Sequence, residues 1–561
     1  MLREREELDA IIPDLLSQLS LNVFSLPQRG TAQNGVDVAA EGHLGEYEGV
    51  FLLSIKSGDL GRTDWDVGPQ ALRPSLNDIL DVYIPNRLSV ERQAKHIYIC
   101  LCFGGNIREE VRERVESFCN SHTTEHISFL QWNGDKLADL VMQSFLSESL
   151  ITSSAKSLLR KSIAMLEVPE TSYKYFSLFI GELENDSSRN SPAKIICKIN
   201  LALWIMFAWG REENLLEAVY LSAELALLHS WELLREKVSS DPQAVTMFFQ
   251  TQDIYSKICE IFLKNNVLDY TEVKYGLSFA SKPDNSIDVN LKLFDILGRL
   301  CVFGLWFVAL KDLLSEDKDF VKVCDKDIRE ITDKVVALIN NNPALLSPIK
   351  DDNAIEIAMT CMLLAQRIDD LKSFNDYLSA LTDSVVFALK SNCQYPCILT
   401  DYSELIHHPN MEEEVYKEKV TAGSILYPMI ALFATSSKDR ELYTLIKNVK
   451  DNLLPNCNFQ LYYLDDAAEN QFYINNNVSG VILSGIQMPD DMDEFRNQIM
   501  QECISCNSFN NLSAIKKRLW PIVLVGCRHY RLPVPINFFY DGTEPDEEFV
   551  EEESTATSET K

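Results

Sequence analysis

An acid and a lysine stand near the ends of two short apolar segments in the first sixty residues of this chain. Asp37 lies in a Gly-Val-Asp-Val stretch, and Lys56 ends a Ser-Ile-Lys stretch. The surrounding apolar residues predict strands over 35–40 and 50–55. If these strands are neighbours, Asp37 can bind a divalent cation and Lys56 can act on the water bound to it. The pair therefore predicts metal-dependent phosphodiester chemistry.

The elements that would position this pair extend over residues 1–150. Apolar spacing predicts further strands at 96–103 and 127–132, and helices at 4–19, 70–83, 107–119 and 136–146. Strands that alternate with helices predict a sheet covered by helices, so we expect an α/β domain here.

Residues 1–150 resemble the PD-(D/E)XK nuclease superfamily, and within it the Mrr-like restriction endonucleases. Asp37 and Lys56 match the first acid and the lysine of the family motif, and the leading helix and later strands match its order of elements. The resemblance implies that Asp37 binds Mg²⁺ (or Mn²⁺) and that Lys56 orients or activates the attacking water.

The family places a second acid, or a glutamine, two residues before the lysine, where this chain has Ser54. Three explanations remain open at this point. Asp37, the Ile55 backbone carbonyl and water can suffice, because Mg²⁺ often keeps several waters. The domain can instead be a catalytically inactive binding module. Finally, another acid can supply the missing ligand; the candidates are Glu41, Glu46, Glu48 and Asp59, with Glu6 and Glu7 on the first helix as extra ligands.

Each motif residue also has a purely structural interpretation. Asp37 could be a strand-end residue that accepts backbone hydrogen bonds. Lys56 could be a solvated charge that protects the edge of a sheet. The nuclease interpretation depends on the two residues occurring together, in the expected order of elements.

The charge of the chain argues against a general nucleic-acid or anionic-membrane binder. Its net charge is −31, and residues 1–150 hold 13 Lys and Arg against 23 Asp and Glu, a net charge of −10. Polyanions are attracted by basic surfaces, so contact with nucleic acid would have to be local or assisted by metal. The candidate phosphate contacts are Arg29, Arg62, Arg73 and Arg87.

After residue 150 the apolar residues recur every three to four positions. This spacing predicts an α-helical array over 151–440, with a solenoid as one arrangement of it, and a mixed but mainly helical region over 441–540. Helices over 200–210 and 215–228 should form a hairpin, without a clear second copy. Residues 520–525 are expected to be a short apolar strand or a buried segment. The acidic tail, 541–561, is expected to be disordered.

Several features favour a cytoplasmic protein that is not in a membrane. The charged amino terminus lacks the apolar core of a signal peptide. The 14 cysteines are scattered, many within apolar runs, as reduced and buried thiols would be. Three apolar stretches, 199–210, 300–310 and 420–437, are shorter or more polar than a spanning helix, so we expect buried helices there.

Other potential sites are weaker. Cys503 and Cys506 form a single CxxC, and Cys393 and Cys397 precede a His-His pair at 407–408; ordinary thiols are the preferred interpretation of both. The Arg-His-Tyr-Arg run at 528–531 is expected to pair with acids of the helical array, with phosphate binding as the alternative.

The resemblance implies Mg²⁺-dependent hydrolysis of DNA by the effector of a bacterial defence against phage or foreign DNA. The helical region would then sense a trigger or drive assembly, either as a homo-oligomer or with a partner defence subunit. The alternative is a degenerate nuclease-like module on a helical interaction scaffold, which Ser54 and the acidity of the domain favour.

Overall fold

A computed structural model describes most of the chain, which divides into two compact units, Met1–Ile258 and Cys259–Lys561. The helix predicted at 136–146 lies largely outside the described residues, and Glu6, Glu7, Arg29, Cys506 and the 541–561 tail lie entirely outside them. The described residues are 9–19, 21–26, 33–56, 58–67, 71–133, 136–137, 140, 152–185, 191–280, 283–367, 371–408, 414–464, 468–474, 481–505 and 508–539.

A five-stranded mixed sheet lies near the amino terminus, and it contains the four strands that the sequence predicted. Its order is β1-β2-β3-β4-β5; the first three strands are antiparallel, and β3, β4 and β5 are parallel. The strands are β1 (Asn22–Ser25), β2 (Val38–Leu44), β3 (Tyr47–Lys56), β4 (Ile97–Phe103) and β5 (Ile127–Trp132). β3 is therefore the central strand.

A tight hairpin joins β2 to β3. Gly45 has a φ of 63°, in the left-handed region that glycine adopts without a side-chain clash. The turn fixes the register, in which Val38 lies opposite Leu53 and Leu44 opposite Tyr47.

Helices cover both faces of the sheet. α1 (Asp9–Gln18) packs on one face, where its Leu15 and Leu16 join the buried Phe51 and Leu53 of β3. Val50 and Leu52 of β3 face a second core on the other side. The helices of the intervening segments are α2 (Arg62–Asp66), α3 (Leu72–Asp78), α4 (Ile84–Arg87), α5 (Val90–Gln93) and α6 (Glu109–His122). Burial on both faces explains why β3 has a nearly continuous apolar sequence.

Two details of this domain differ from the expectations. β1 was not predicted, because a four-residue strand gives little periodic signal. The helix expected over 70–83 ends at Asp78 and continues as a π-helical turn, Ile79–Tyr83, before α4. Pro85 lacks the N–H that would bond the preceding turn, which accounts for the irregular winding.

The described chain beyond the sheet is mainly helical. The predicted hairpin is formed by Pro192–Glu212 and Leu216–Leu234, each longer than expected. The other helices of at least twelve residues up to residue 400 are Ser153–Ala164, Pro169–Asn185, Pro242–Asn266, Ser286–Leu313, Lys318–Asn341 and Leu371–Ser391. A shorter apolar helix, Ala354–Leu364, is buried almost completely.

The second unit also contains a small three-stranded sheet of order β6-β7-β8. It consists of β6 (Gly423–Ser424), β7 (Asn458–Tyr463) and β8 (Val481–Ser484). Residues 521–525 are buried, as one of the two alternatives for 520–525 predicted, but they begin the helix Pro521–Tyr530 rather than a strand. Pro521 suits the first turn of a helix, and a helix buried on all sides has no periodicity to distinguish it from a strand.

Two described helices, Pro192–Glu212 and Ser286–Leu313, are long and apolar enough to cross a membrane. In each, 78% of the most apolar segment is buried inside the protein, as in the core helices of soluble proteins. The described cysteines are free thiols, and all except Cys393 and Cys503 are buried.

Candidate functional site

Asp37 is the residue immediately before β2, and two hydrogen bonds attach it to β3. Its backbone N–H donates to the carbonyl of Leu53 at 2.9 Å. Its carboxylate oxygen Oδ2 accepts from the backbone N–H of Ile55 at 2.7 Å. The motif acid is therefore held at the residue that directly precedes Lys56.

The alternation of side chains breaks at Asp37. Val36 and Ala39 contact the core on the α2–α3 side, whereas Val38 contacts the core beneath α1. Strict alternation would place Val36 and Val38 on one face. The alternation of side chains is thus shifted by one residue here. The hydrogen bond to Ile55, rather than strand periodicity, positions the Asp37 carboxylate.

Lys56 is the last residue of β3 and lies opposite Phe103 of β4 in the parallel register. Its side chain is half-buried. Because β3 is the central strand, Lys56 cannot serve as the charge that protects a sheet edge. Alternation from Val50 and Leu52 places Ser54 and Lys56 on the same face, as expected.

Ser54 is completely buried. Within the described part of the chain, its Oγ has no hydrogen-bond partner. The position two residues before Lys56 is therefore enclosed by protein. A carboxylate introduced there would lose its hydration unless a cation compensated it.

Glu41, proposed as a substitute ligand, is held elsewhere. It lies four residues along β2 from Asp37, about 13 Å at the usual rise of a strand. Its carboxylate forms ion pairs with Lys95 and, at 2.9 Å, with Arg92. Hydrogen bonds from Lys95 and Arg92 hold the pKa of Glu41 below its ordinary value. The structure does not bring Glu41 to Asp37.

Of the other candidate acids, Glu46 and Glu48 are exposed at the opposite end of β3. Asp59 follows Lys56 by three residues, and its Oδ1 accepts the backbone N–H of Asn106 at 2.9 Å. A Cβ on Gly105 would lie 2.2 Å from the same oxygen, so this approach requires glycine. Asp59 thus attaches the loop after β3 to the loop after β4.

The candidate phosphate contacts lie beside acids. Arg62 is exposed at the start of α2, and its backbone N–H is 3.4 Å from Glu110 Oε1. Arg73 is also exposed and forms a 3.1 Å ion pair with Asp66. Arg73 therefore adds no isolated positive charge to the surface near the sheet.

Among the described residues, no three His, Cys, Asp or Glu side chains are grouped closely enough to hold a metal ion. A cation at Asp37 would need backbone oxygens and water as its other ligands. In a strand, the N–H and C=O of one residue point towards the same neighbour. The Ile55 carbonyl therefore faces the β2 side, where its N–H meets Asp37.

The Arg-His-Tyr-Arg run pairs with acids of the helical region, as predicted. Arg528 and Arg299 both contact Asp295, each at 2.8 Å, and Arg531 pairs with Glu356 and, at 3.1 Å, with Asp352. Burial would raise the pKa of Asp295, but Arg299 and Arg528 outweigh it and hold the pKa below its ordinary value.

These acidic partners were not identified from the sequence, although a signal existed. Asp295 and Glu356 each interrupt a run of apolar residues within a helix. Glu356 is completely buried, and burial raises its pKa despite the opposing charge of Arg531. An acid in such a run predicts a buried cationic partner, because an unpaired buried charge is unfavourable.

The His-His segment has an ordinary structural role. His408 is buried; its Nε2 donates to the Tyr395 carbonyl at 2.8 Å, and its Nδ1 accepts from the Tyr416 hydroxyl at 3.1 Å. Burial lowers the pKa of His408, consistent with a neutral ring. Both ring nitrogens of His408 therefore bond to protein groups.

Comparison with known proteins adds no relative: no protein family model, no curated protein and no solved structure matches this chain.

Proposed function

We propose that the α/β domain is a Mg²⁺-dependent nuclease that hydrolyses phosphodiester bonds of DNA, with Asp37 as metal ligand. The observation that carries this proposal is the 2.7 Å hydrogen bond from Ile55 N–H to Asp37 Oδ2. It places the motif acid one residue away from the motif lysine, although 18 residues separate Asp37 from Ile55 in sequence.

A plausible ligand set follows from that arrangement. A carboxylate has about four acceptor sites, so accepting one N–H leaves it able to bind a cation. The Ile55 carbonyl faces the same side, and Mg²⁺ commonly completes its six ligands with water. The metal would stabilise the phosphate and lower the pKa of a bound water. Lys56 would orient that water or stabilise the charge that develops.

The order of elements supports the same proposal. A leading helix, the neighbouring strands β2 and β3 and the later strands β4 and β5 follow the order of elements that the resemblance implies. On this basis we assign the chain to bacterial defence in the cytoplasm, as an effector against phage or foreign DNA. Its helices, arranged as a solenoid, would sense the trigger or bind a partner defence subunit.

The direct test is cleavage of plasmid DNA by the purified full chain with Mg²⁺ or Mn²⁺. Asp37→Asn retains an oxygen that can accept the Ile55 N–H but loses the anionic ligand, and Lys56→Met retains most of the side-chain volume. We expect each substitution to slow cleavage by about 10²–10⁴-fold, the usual range for a positioned catalytic group.

Glu48→Gln is the matched control, because Glu48 is an exposed acid on the same strand, remote from Lys56. It should cut like the unmodified protein. Equal cutting by all four proteins, or cutting that persists in excess chelator, would reject the assignment.

A non-catalytic module is the second candidate, and the burial of Ser54 favours it. Without an acid at this position the site has one motif carboxylate, and the enclosed position has no room for solvent. In this case the protein binds DNA, RNA or a partner subunit with equal affinity in Mg²⁺ and in chelator, and it never cuts. Gain of cutting by Ser54→Glu would instead indicate a nuclease that lacks only its second acid.

A further inference from the structure

A segment near the end of the second unit carries positive charge and no acid. Residues 503–540 contain five Lys and Arg but no Asp or Glu, in a chain whose net charge is −31. Two of the five, Arg528 and Arg531, are paired with acids of the helical region. The other three are consecutive in sequence and are called the basic patch below: Lys516, Lys517 and Arg518.

The basic patch is exposed, and the described part of the chain gives it no acidic partner. All three residues are exposed, and none of them forms an ion pair with a described acid. Glu469 does contact this segment, but at Ser513, whose N–H it accepts at 2.7 Å at the opposite end of the short helix Ser513–Lys516. Three adjacent cations repel one another, so an anion beside them is favourable.

Backbone hydrogen bonds hold the three charges together on one turn. Lys517 N–H donates to the Ser513 carbonyl at 3.1 Å, and Arg518 N–H donates to the Ile515 carbonyl at 2.9 Å. Arg518 has a φ of 57°, the left-handed conformation with which helices commonly end. The basic patch is therefore a defined surface at the end of a helix.

An aromatic contact brings the last described residues to the same place. Trp520, two residues after Arg518, packs edge-on against Phe538, with the ring centroids 6.1 Å apart. Phe538 also packs against Phe509, with the centroids 4.9 Å apart. Asp541 follows Phe538 by three residues, which span at most about 11 Å. The acidic tail therefore begins close to the basic patch.

The tail has the charge that this surface lacks. Residues 541–553 contain eight Asp and Glu and no Lys or Arg. Thirteen residues span up to about 45 Å when extended, so several of these carboxylates can reach the basic patch at once. A single exposed ion pair contributes little. Because the tail is tethered beside the patch, its effective concentration is about millimolar or higher, and several weak pairs are then sufficient.

We propose that the acidic segment 541–553 folds back over the basic patch of its own chain and covers it. The contact is electrostatic and needs no regular secondary structure, in agreement with the composition of the tail. It forms within one molecule, so it does not require two chains of net charge −31 to meet. An external anion then reaches the basic patch only by displacing the tail. This cover does not depend on whether the Asp37 site is catalytic.

Carbodiimide coupling of the unmodified full chain tests the contact directly. The reagent joins a lysine amine to a carboxylate in contact with it as an amide, and mass spectrometry of the digested monomer identifies the pair. We expect Lys516 and Lys517 to be joined to carboxylates of 541–553 at low salt. In about 1 M salt, where the screening length is about 3 Å, this coupling should fall at least about fivefold. Lys322 and Lys326, exposed on another helix, should not be joined to the tail.

Limited proteolysis of the full chain is the second measurement. A glutamate-specific protease cuts the tail when it is lifted from the patch, so the rate of cutting within 541–553 follows the uncovered fraction. The test variant combines Lys516→Gln, Lys517→Gln and Arg518→Gln, and it should be cut at least about threefold faster.

The matched control removes the same charge from exposed positions of the helix Lys318–Asn341 and should be cut at the rate of the unmodified protein. It combines Lys318→Gln, Lys322→Gln and Lys326→Gln. Equal cutting rates in all three proteins would overturn the proposal, as would tail carboxylates coupled as often to Lys322 as to Lys516.

Discussion

Charged residues are brought together in both units of this protein, and the way they are held differs. At the end of β3, the hydrogen bond that places the Asp37 carboxylate comes from a neutral backbone N–H. In the second unit, Asp295 lies between two arginines and Glu356 meets Arg531. Opposite charges that cancel are typical of a structural network.

The two groups of charged residues also differ in how deeply their side chains are buried. The side chains of Arg299 and Arg528 are 2% and 4% exposed, so each needs its acid in place. Asp37 and Lys56 are half-buried, within reach of solvent. The comparison indicates that the arginine network maintains the fold, whereas the Asp37 region remains accessible to solvent.

The largest expected effect comes from breaking the network. Asp295→Asn leaves two buried guanidinium groups without their shared negative charge and should lower the free energy of unfolding by about 3–5 kcal/mol. Urea denaturation followed by circular dichroism measures this change. Asp319→Asn, which removes an exposed i,i+3 pair with Lys322, is the control and should cost no more than about 0.5 kcal/mol. If both substitutions lower the free energy of unfolding by similar amounts, burial of the network does not explain its contribution to stability.

A smaller effect is expected at Asp37. Asp37→Ala removes the acceptor of the Ile55 N–H and should cost about 1.5–3 kcal/mol, the usual value for a hydrogen bond to a charged group. Asp37→Asn should recover much of this stability without recovering cleavage. If alanine and asparagine are equally stable, the hydrogen bond does not hold the end of β3.

Asp351 shares one feature with each of the two regions. It is buried, as the arginine network is, but its hydrogen-bond donors are neutral. Its carboxylate accepts from the Ser424 hydroxyl and, at 2.8 Å, from the Ile425 N–H at the start of the helix Leu426–Ser437. Burial raises the pKa of Asp351 from 3.8 to about 6. The native state therefore binds this proton before the unfolded state does, so the stability from protonation is complete below about pH 4 and is lost as the pH rises through 6.

We thus expect the unmodified protein to gain stability relative to Asp351→Asn as the pH falls from 7 to 5. The urea midpoints of both proteins at the two pH values give the difference in stability between them. The contributions of the other titrating groups are the same in both proteins and cancel in this difference. A difference that does not change with pH would contradict the raised pKa.

The smallest effect, of opposite sign, is expected at Ser54. Its buried Oγ has no hydrogen-bond partner among the described residues, so Ser54→Ala removes an unsatisfied polar atom at little cost in packing. Stability should remain within about 1 kcal/mol of the unmodified protein, with a gain favoured. A loss larger than this would reveal a role for the hydroxyl, and thermal unfolding is sufficient to detect it.

Several elements follow directly from local sequence. The apolar runs around Leu52 and Ile99 predicted β3 and β4, and the three-to-four spacing after residue 150 predicted the helices. Four-residue β1 was missed because it is too short to show periodicity. The start of the helix Pro521–Tyr530 was considered as a strand because it is apolar on all sides.

The candidate site was predictable only in part. The sequence identified Asp37 and Lys56 and the absence of an acid at Ser54. It could not show that Arg92 and Lys95 bind Glu41, because those cations lie about fifty residues away along the chain.

The sequence alone determined which segments are apolar on one side or on both. This pattern predicted a helix-covered sheet followed by helices. The sequence also determined the residue types at the candidate site. Tertiary structure decided which charges meet, such as Arg528 with Asp295 across 233 residues, which position is enclosed, as at Ser54, and which strand is left at the edge, as with β5. The physical reason is that periodicity is set by neighbours within a few residues, whereas burial and ion pairing depend on contacts that exist only after distant segments have packed.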